Sequence, residues 1–330
     1  MRSLEICAGA GGQALGLEQA GFQHIALVEI EQTACATLRR NRPWWNVVEC
    51  DVKRFSAKDC WNVDLLAGGV PCPPFSVAGK QLGDDDERDL FPEALRLVAE
   101  CCPKAVMIEN VRGIFNTKFD EYRESIRNQI ECMGYTCFWE SVNAARYGVS
   151  QHRPRAILVA LGDEYAGGFA WPHANIEPPP PVGQLLVEEM ASCGWRGAGA
   201  WSQRANGIAP TLVGGSTRHG GADLGPTRAR VAWAHLGVDG SSVADAPPAP
   251  DFVGSPKLTV KMAALLQGFP SDWVFVGRKT QAYRQVGNAF PPPVARAVGH
   301  AIRRALQGQK QAISSHSQRH GAQESLWAHT

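Results

Sequence analysis

A chain of 330 residues, 44% hydrophobic and 20% charged, can bury a large core and is too apolar to be disordered over most of its length. Its ten cysteines, at 7, 35, 50, 60, 72, 101, 102, 132, 137 and 193, show neither a compact disulfide framework nor structural-zinc spacing, which predicts a reducing cytoplasm and no metal. No apolar leader and no run of 18 apolar residues indicates export or membrane insertion.

The net charge of +1 does not announce a polyanion partner. From Leu258 to Thr330, however, nine Lys and Arg residues stand against Asp272 and Glu324, so a local basic surface fits the neutral total as well as a solvated helix face does.

Leu4 to Cys7 predicts a first strand, and AGAGGQALGLEQAGF after it supplies Gly9, Gly11 and Gly12, where backbone N–H groups can approach a ligand before a helix begins. A second strand, His24 to Ile30, carries Glu29 about twenty residues beyond the glycines, where a carboxylate can accept from ribose hydroxyls. Asp51 ends a third strand, Val47 to Cys50, as either a solvated turn residue or a partner for an adenine amino group. Together Gly9, Glu29 and Asp51 describe an open α/β sheet holding an adenosine-containing cofactor at its carboxyl edge.

Strand four leads into DLLAGGVPCPPFS. Gly68 and Gly69 permit a sharp exit, and Pro71, Pro73 and Pro74 restrict the loop around Cys72, which is either a core cysteine in a turn or a thiol presented at the sheet's mouth. The charged segment GKQLGDDDERD follows, then a helix over Leu90 to Cys101 and a fifth strand, Ala105 to Ile108, running into Glu109. Neighbouring parallel strands share one crevice at their carboxyl ends, so Glu109 and Cys72 can face the same substrate. Phe119 to Met133 predicts a helix, and Thr136 to Asn143 and Arg155 to Leu161 two strands added antiparallel at the edge. Between them Gln151, Arg153 and Arg155 alternate, so the arginines share a face while His152 points away.

Beyond Gly162 a Pro/Gly-rich stretch closes the first domain, and from about Gly183 to Phe252 periodicity is poor, with loops rich in arginine. Pro256 to Pro270 is a helix segment with Thr259 as N-cap and Met262, Leu265 and Leu266 as its apolar face. A last helix starts near Pro292 or Pro293.

In this order and spacing the pieces resemble the DNA cytosine-5 methyltransferases of bacterial restriction-modification systems. EICAGAGG, VEIE, GGVPCPPFS, ENV, QHRPR, LTVKMAALLQGFP and RQVGNAFPP match that family's motifs in turn. The resemblance implies an α/β, Rossmann-like, mixed seven-stranded S-adenosyl-L-methionine-dependent methyltransferase sheet in residues 1–165. It further implies a smaller loop-rich target-recognition domain in 166–255, a return to the catalytic domain in 256–308 and a flexible tail in 309–330.

It also implies a reaction: a methyl group moves from S-adenosyl-L-methionine to C5 of a cytosine flipped out of double-stranded DNA, leaving S-adenosyl-L-homocysteine. Cys72 is the nucleophile at C6, Glu109 the acid partner at N3, Arg155 the contact to O2 and Arg153 a nearby supporting or backbone-contacting residue. Cys7, Ala8, Gly9, Gly11, Gly12, Glu29, Ile30, Asp51, Val52, Pro71, Leu90 and Asn288 fall at the cofactor pocket. Ser76, Arg218, Arg228 and Arg230 are candidate DNA contacts. Two positions depart from the pattern: Cys7 replaces a common phenylalanine, and Pro73 a common glutamine.

The chemistry needs these groups because cytosine C5 attacks a methyl group only after a thiolate has added at C6. A restriction endonuclease is expected as a separate partner, the enzyme as a monomer, and no membrane is involved. The alternatives are a transfer-RNA cytosine-5 methyltransferase and a catalytically silent DNA-binding regulator.

Overall fold

The computed structural model describes residues 1–71, 89–175, 177–214 and 222–308. In chain order the sheet elements and helices begin β1 (Arg2–Ile6), α1 (Gly12–Gln19), β2 (Gln23–Glu29), α2 (Gln32–Asn41), β3 (Val47–Glu49), β4 (Leu65–Gly69), α3 (Phe91–Cys101), β5 (Ala105–Val111) and α4 (Asp120–Glu131). They continue with β6 (Tyr135–Asn143), β7 (Pro154–Gly162), α5 (Asp163–Ala166), α6 (Val182–Ala191), α7 (Ala198–Arg204), α8 (Thr227–His235), α9 (Val260–Leu266), α10 (Lys279–Asn288) and α11 (Pro292–Leu306).

The seven strands run in the order β3-β2-β1-β4-β5-β7-β6, with β7 antiparallel to both neighbours and the other pairs parallel. This is the mixed seven-stranded α/β sheet expected, including its antiparallel addition. Strand alternation sorts the core into two layers. Leu66, Val106, Ile108 and Leu158 pack with α3 and α4 on one face. Leu65, Ala67, Met107, Ile157 and Val159 pack with Leu17 of α1 and Val294, Val298 and Ile302 of α11 on the other. Helix α11 therefore carries the chain's end back under its beginning. Gly16 makes the crossing possible, since a Cβ there would lie 2.3 Å from the Pro292 carbonyl oxygen.

The segment 166–255 holds more helix than its weak periodicity suggests. Val182, Leu186 and Met190 form one buried stripe of α6 that the preceding proline run obscured, and α7 and α8 bury Trp201 and Trp233. These side chains share an apolar cluster with Met262 and Leu266 of α9 and with Leu15 of α1. Thr259 caps α9 as expected, its hydroxyl accepting from the Met262 N–H at 3.2 Å. Among the described residues no helix is long and apolar enough to cross a membrane.

One buried acid stands out on β1. Glu5 lies between β2 and β4, fully excluded from solvent. Burial pushes its pKa well above the usual 4.5; the Ala14 backbone N–H opposes this and Glu29 adds to it. As pH rises above about 4.5 the unfolded chain releases this proton while the folded chain keeps it, so stability falls until the raised folded pKa is passed. Glu5→Gln is expected to make the decline of melting temperature with pH shallower. Melting curves of the two proteins across that range check this, and equal slopes refute it.

Candidate active site

The cavity at the carboxyl ends of the central strands has a volume of about 650 Å³. It opens where the strand order reverses around β1 and β4, the place where open α/β sheets bind ligands. Its floor is the turn after β1. Cys7, Gly9 and Gly11 take positive φ values of 50°, 54° and 86°, swinging the chain from strand to helix, with Gly11 as the N-cap of α1. Gly12 has no room for a side chain, because a Cβ would lie 2.2 Å from the Phe290 carbonyl oxygen. The start of the chain and the segment leading into α11 thus meet backbone to backbone.

Glu29, at the end of β2, is held by three backbone donors. Its Oε2 accepts from Gly9 N–H at 2.7 Å, and its Oε1 from Ile30 and Glu31 N–H at 2.9 and 2.8 Å. Burial nevertheless raises its pKa, these N–H groups opposing. Beside it Ile30 is 62% exposed, an apolar surface lining the cavity. Asp51, just past β3, accepts from Lys53 N–H at 3.0 Å. Cys7 lines the same space, its thiol pushed up to about 12 by burial and then by Glu29, Asp51 and Glu5, so it forms a neutral, soft wall.

The reactive corner lies at β4 and β5. Gly69 and Glu109 are register partners, and a Cβ on Gly69 would sit 3.3 Å from Glu109 Oε2, so the glycine leaves the carboxyl group uncovered. Arg155 Nε donates to Glu109 Oε1 at 2.9 Å, both side chains being about 14% and 13% exposed. Burial raises the Glu109 pKa, with Arg155 and then Arg153 holding back part of the shift. Pro71 lines the cavity too, and its carbonyl accepts from Leu90 N–H at 3.1 Å, so both flanks of residues 72–88 enter the site together. Cys72 and Ser76 lie outside the described residues.

Of the cofactor residues expected from sequence, Cys7, Ala8, Gly9, Gly12, Glu29 and Ile30 line the cavity, as do Asp51, Val52, Pro71, Leu90 and Asn288. Gly11 does not; it faces Leu38, Trp45 and Trp273. The sequence reading missed Gln13, Thr33 and the α10 residues Gln281, Arg284 and Gln285. Stepping back from Asn288 by three, four and seven residues would have found the last three, had the segment been read as a helix.

Arg153 is placed differently from Arg155. It is 1% exposed and donates to the carbonyls of Leu212, Gly287 and Ala289 at 2.7, 2.8 and 3.0 Å. Gln151 extends this seam, donating to Leu266 O and Gln267 Oε1 and accepting from Leu212 N–H. Both side chains tie β7 to α9, α10 and the segment before residue 215. Arg228 and Arg230 are exposed on α8, and Arg218 lies outside the described residues. Among the described residues no group of three or more His, Cys, Asp or Glu side chains is arranged to hold a metal.

The sequence profile of the C-5 cytosine-specific DNA methylases matches residues 1–213 and 230–304. The chain is 55% identical over 310 residues to the Type II methyltransferase M.NgoMIV of Neisseria gonorrhoeae, covering 92% of this chain and 98% of that protein. It is 52% identical over 322 residues to the Type II methyltransferase M.NaeI of Lentzea aerocolonigenes, covering 94% and 78%. The S. pombe Dnmt2 methyltransferase shares the fold, with a TM-score of 0.62, 17% identity and coverage of 93% and 99%. The extent of the profile match and the similarity to M.NgoMIV and M.NaeI establish that this chain belongs to the C-5 cytosine-specific DNA methylase family.

Proposed function

We infer that this DNA cytosine-5 methyltransferase takes its methyl group from S-adenosyl-L-methionine and delivers it to an everted cytosine in duplex DNA. The observation that carries this reading is one cavity lined both by Glu109, whose carboxyl group is paired with Arg155, and by the fixed carboxylate of Glu29. The residues present fit the cofactor. Glu29 retains acceptor capacity for ribose hydroxyls, Ile30 offers an apolar face to a purine, and Gly9 leaves its Cβ position open, with nothing within 4 Å. When bound, the cofactor supplies a methyl group on a positively charged sulfur.

The chain's own residues do the rest. Cys72 adds its sulfur to C6 of the cytosine, forming a C–S bond while the C5–C6 π electrons shift toward N3, where Glu109 supplies a proton. Arg155 stays charged, orients the Glu109 carboxyl group and donates to O2. The resulting enamine makes C5 nucleophilic. After methylation a base removes the C5 proton, the electrons of that C–H bond restore the C5–C6 double bond and expel the thiolate, and the N3 proton returns to Glu109. Taking the base out of the stack costs a few kcal/mol, offset by contacts from the residues around it.

We assign the recognition domain to 166–255, with Ser76, Arg218, Arg228 and Arg230 as DNA contacts and a monomer as the working unit. A restriction endonuclease of the same system acts as a separate partner. Bisulfite sequencing of DNA exposed to purified protein and S-adenosyl-L-methionine, with total RNA treated in parallel, tests the reading. Protected cytosines at one recurrent DNA sequence are the expected result; protection in RNA alone, or none, overturns it.

A further inference from the structure

Helix α10 turns Gln281, Arg284, Gln285 and Asn288 toward the cavity, positions 0, 3, 4 and 7 of one face. Two of these side chains have structural duties. Gln285 accepts from Thr37 Oγ1 at 2.6 Å and donates to Val276 O at 2.8 Å, bracing α2, while Gln281 Oε1 accepts from the Arg278 N–H at 2.9 Å. Arg284 differs. It is half-buried, lines the cavity, and makes no hydrogen bond or ion pair with any described residue. A guanidinium withdrawn from water without an acceptor is an unpaid desolvation cost, which a ligand's anion would recover.

The charge around the cavity narrows the ligand group. Among the described residues that line it, Glu29, Glu31, Asp51 and Glu109 are the acids, and Lys53 and Arg284 the cations. Lys53 belongs to the β3 corner beside Asp51, so a carboxylate entering elsewhere meets acidic side chains and, among the described lining residues, finds its cation at Arg284. The cofactor read above has three arms: adenosine, the transferable methyl group and an α-amino acid. The β2 and β3 ends suit the first, and the β4 and β5 ends the second. What remains is the wall made by the start of α1 and by α10. There the backbone of Arg284 is fixed from behind: its carbonyl oxygen lies 2.7 Å from the Cβ position of Gly214, so the 211–214 segment packs directly on the helix.

We propose that Arg284 receives the α-carboxylate of the cofactor's amino-acid arm. The planar fork of an arginine matches a carboxylate with two parallel N–H donors, which a lysine cannot reproduce. The proposal rests on the S-adenosyl-L-methionine reading, and its test separates the two. Calorimetric binding of S-adenosyl-L-homocysteine and of its decarboxylated counterpart, which keeps the amine, is measured for the full-length protein, Arg284→Gln and Arg284→Lys. Melting of the ligand-free variants verifies that they fold.

The unaltered protein is expected to prefer the carboxylated ligand by roughly tenfold to a hundredfold, the range for a charge-assisted hydrogen-bonded contact. Arg284→Gln should lose that preference while binding the decarboxylated ligand as well as before, and Arg284→Lys should keep part of it. If Arg284→Gln discriminates as the unaltered protein does, the proposal is overturned. If it also loses affinity for DNA, the side chain is a phosphate contact instead. If neither nucleoside binds the unaltered protein, the cofactor reading itself falls.

Discussion

Methyl transfer is expected to fall by about 10²- to 10⁴-fold when Glu109 is replaced by glutamine, the usual span for removing a positioned general acid, and to vanish in Cys72→Ser. Glutamine keeps the shape and can still accept from Arg155, but it cannot give up a proton at N3. The ion pair at 2.9 Å joins two side chains mostly excluded from water, and burial dominates, raising the pKa of the carboxyl group and lowering that of the guanidinium. Because burial raises the Glu109 pKa, its proton is held to a higher pH than that of a free carboxyl group. The rate should therefore decline as pH climbs through that value, and this limb should disappear in Glu109→Gln. Single-turnover methylation measured against pH decides the matter, with S-adenosyl-L-homocysteine binding as the control that the cavity survives. A Glu109→Gln rate near that of the parent, with the same falling limb, removes this carboxyl group from proton transfer.

The second large effect is on stability. Arg153→Met should destabilise the fold by on the order of 2–5 kcal/mol, because the Leu212 and Gly287 carbonyls lose a charged donor in a dry interior. The Ala289 carbonyl is less affected, since Gln267 Nε2 also donates to it at 2.7 Å. Part of the loss is returned by no longer burying a charge without a carboxylate directly against it; burial already lowers the Arg153 pKa. The loss should also be local. Leu212 precedes the 213–214 segment that lies on α10, and Gly214 lies within 2.4 Å of a Cβ placed on Gly287, so freeing it loosens the cavity wall. Denaturant unfolding with and without S-adenosyl-L-homocysteine should show a lower midpoint and a weaker ligand-induced rise. A variant that unfolds like its parent would show that the three carbonyls find other donors.

The same pair of arginines shows where sequence and structure part company. Alternation in QHRPR predicts His152 turned away from its neighbours, and His152 is exposed while Arg153 is buried. It could not say that one guanidinium would reach Glu109 on β5 while the other turned to carbonyls 59 to 136 residues away. That choice depends on which distant backbone arrives at each side chain. Gly11 and Gly12 make a similar contrast. Both belong to the predicted turn, yet only Gly12 borders the cavity; Gly11 serves the packing of Leu38, Trp45 and Trp273.

Helix α10 was hidden for another reason. Its buried residues, Ala282, Tyr283, Val286 and Gly287, include two small ones, so the apolar signal is faint, and on its polar face Arg284 and Gln285 are half-buried against the cavity. Local patterning reads how much each side chain dislikes water. It cannot register that a polar residue is excluded from water by another part of the fold.

What the amino-acid order by itself determined was the succession of strands, the glycine turn, the acids at strand ends and the family they spell. These follow from backbone sterics and from side-chain period, both properties of neighbouring residues. Only the tertiary structure decided that α10 lines the cavity, that Arg153 is a tie between segments, and that Arg284 stands there without a partner among the described residues. Each depends on which chain segments, far apart in sequence, are brought within bonding distance, and that is set by the packing of the whole core.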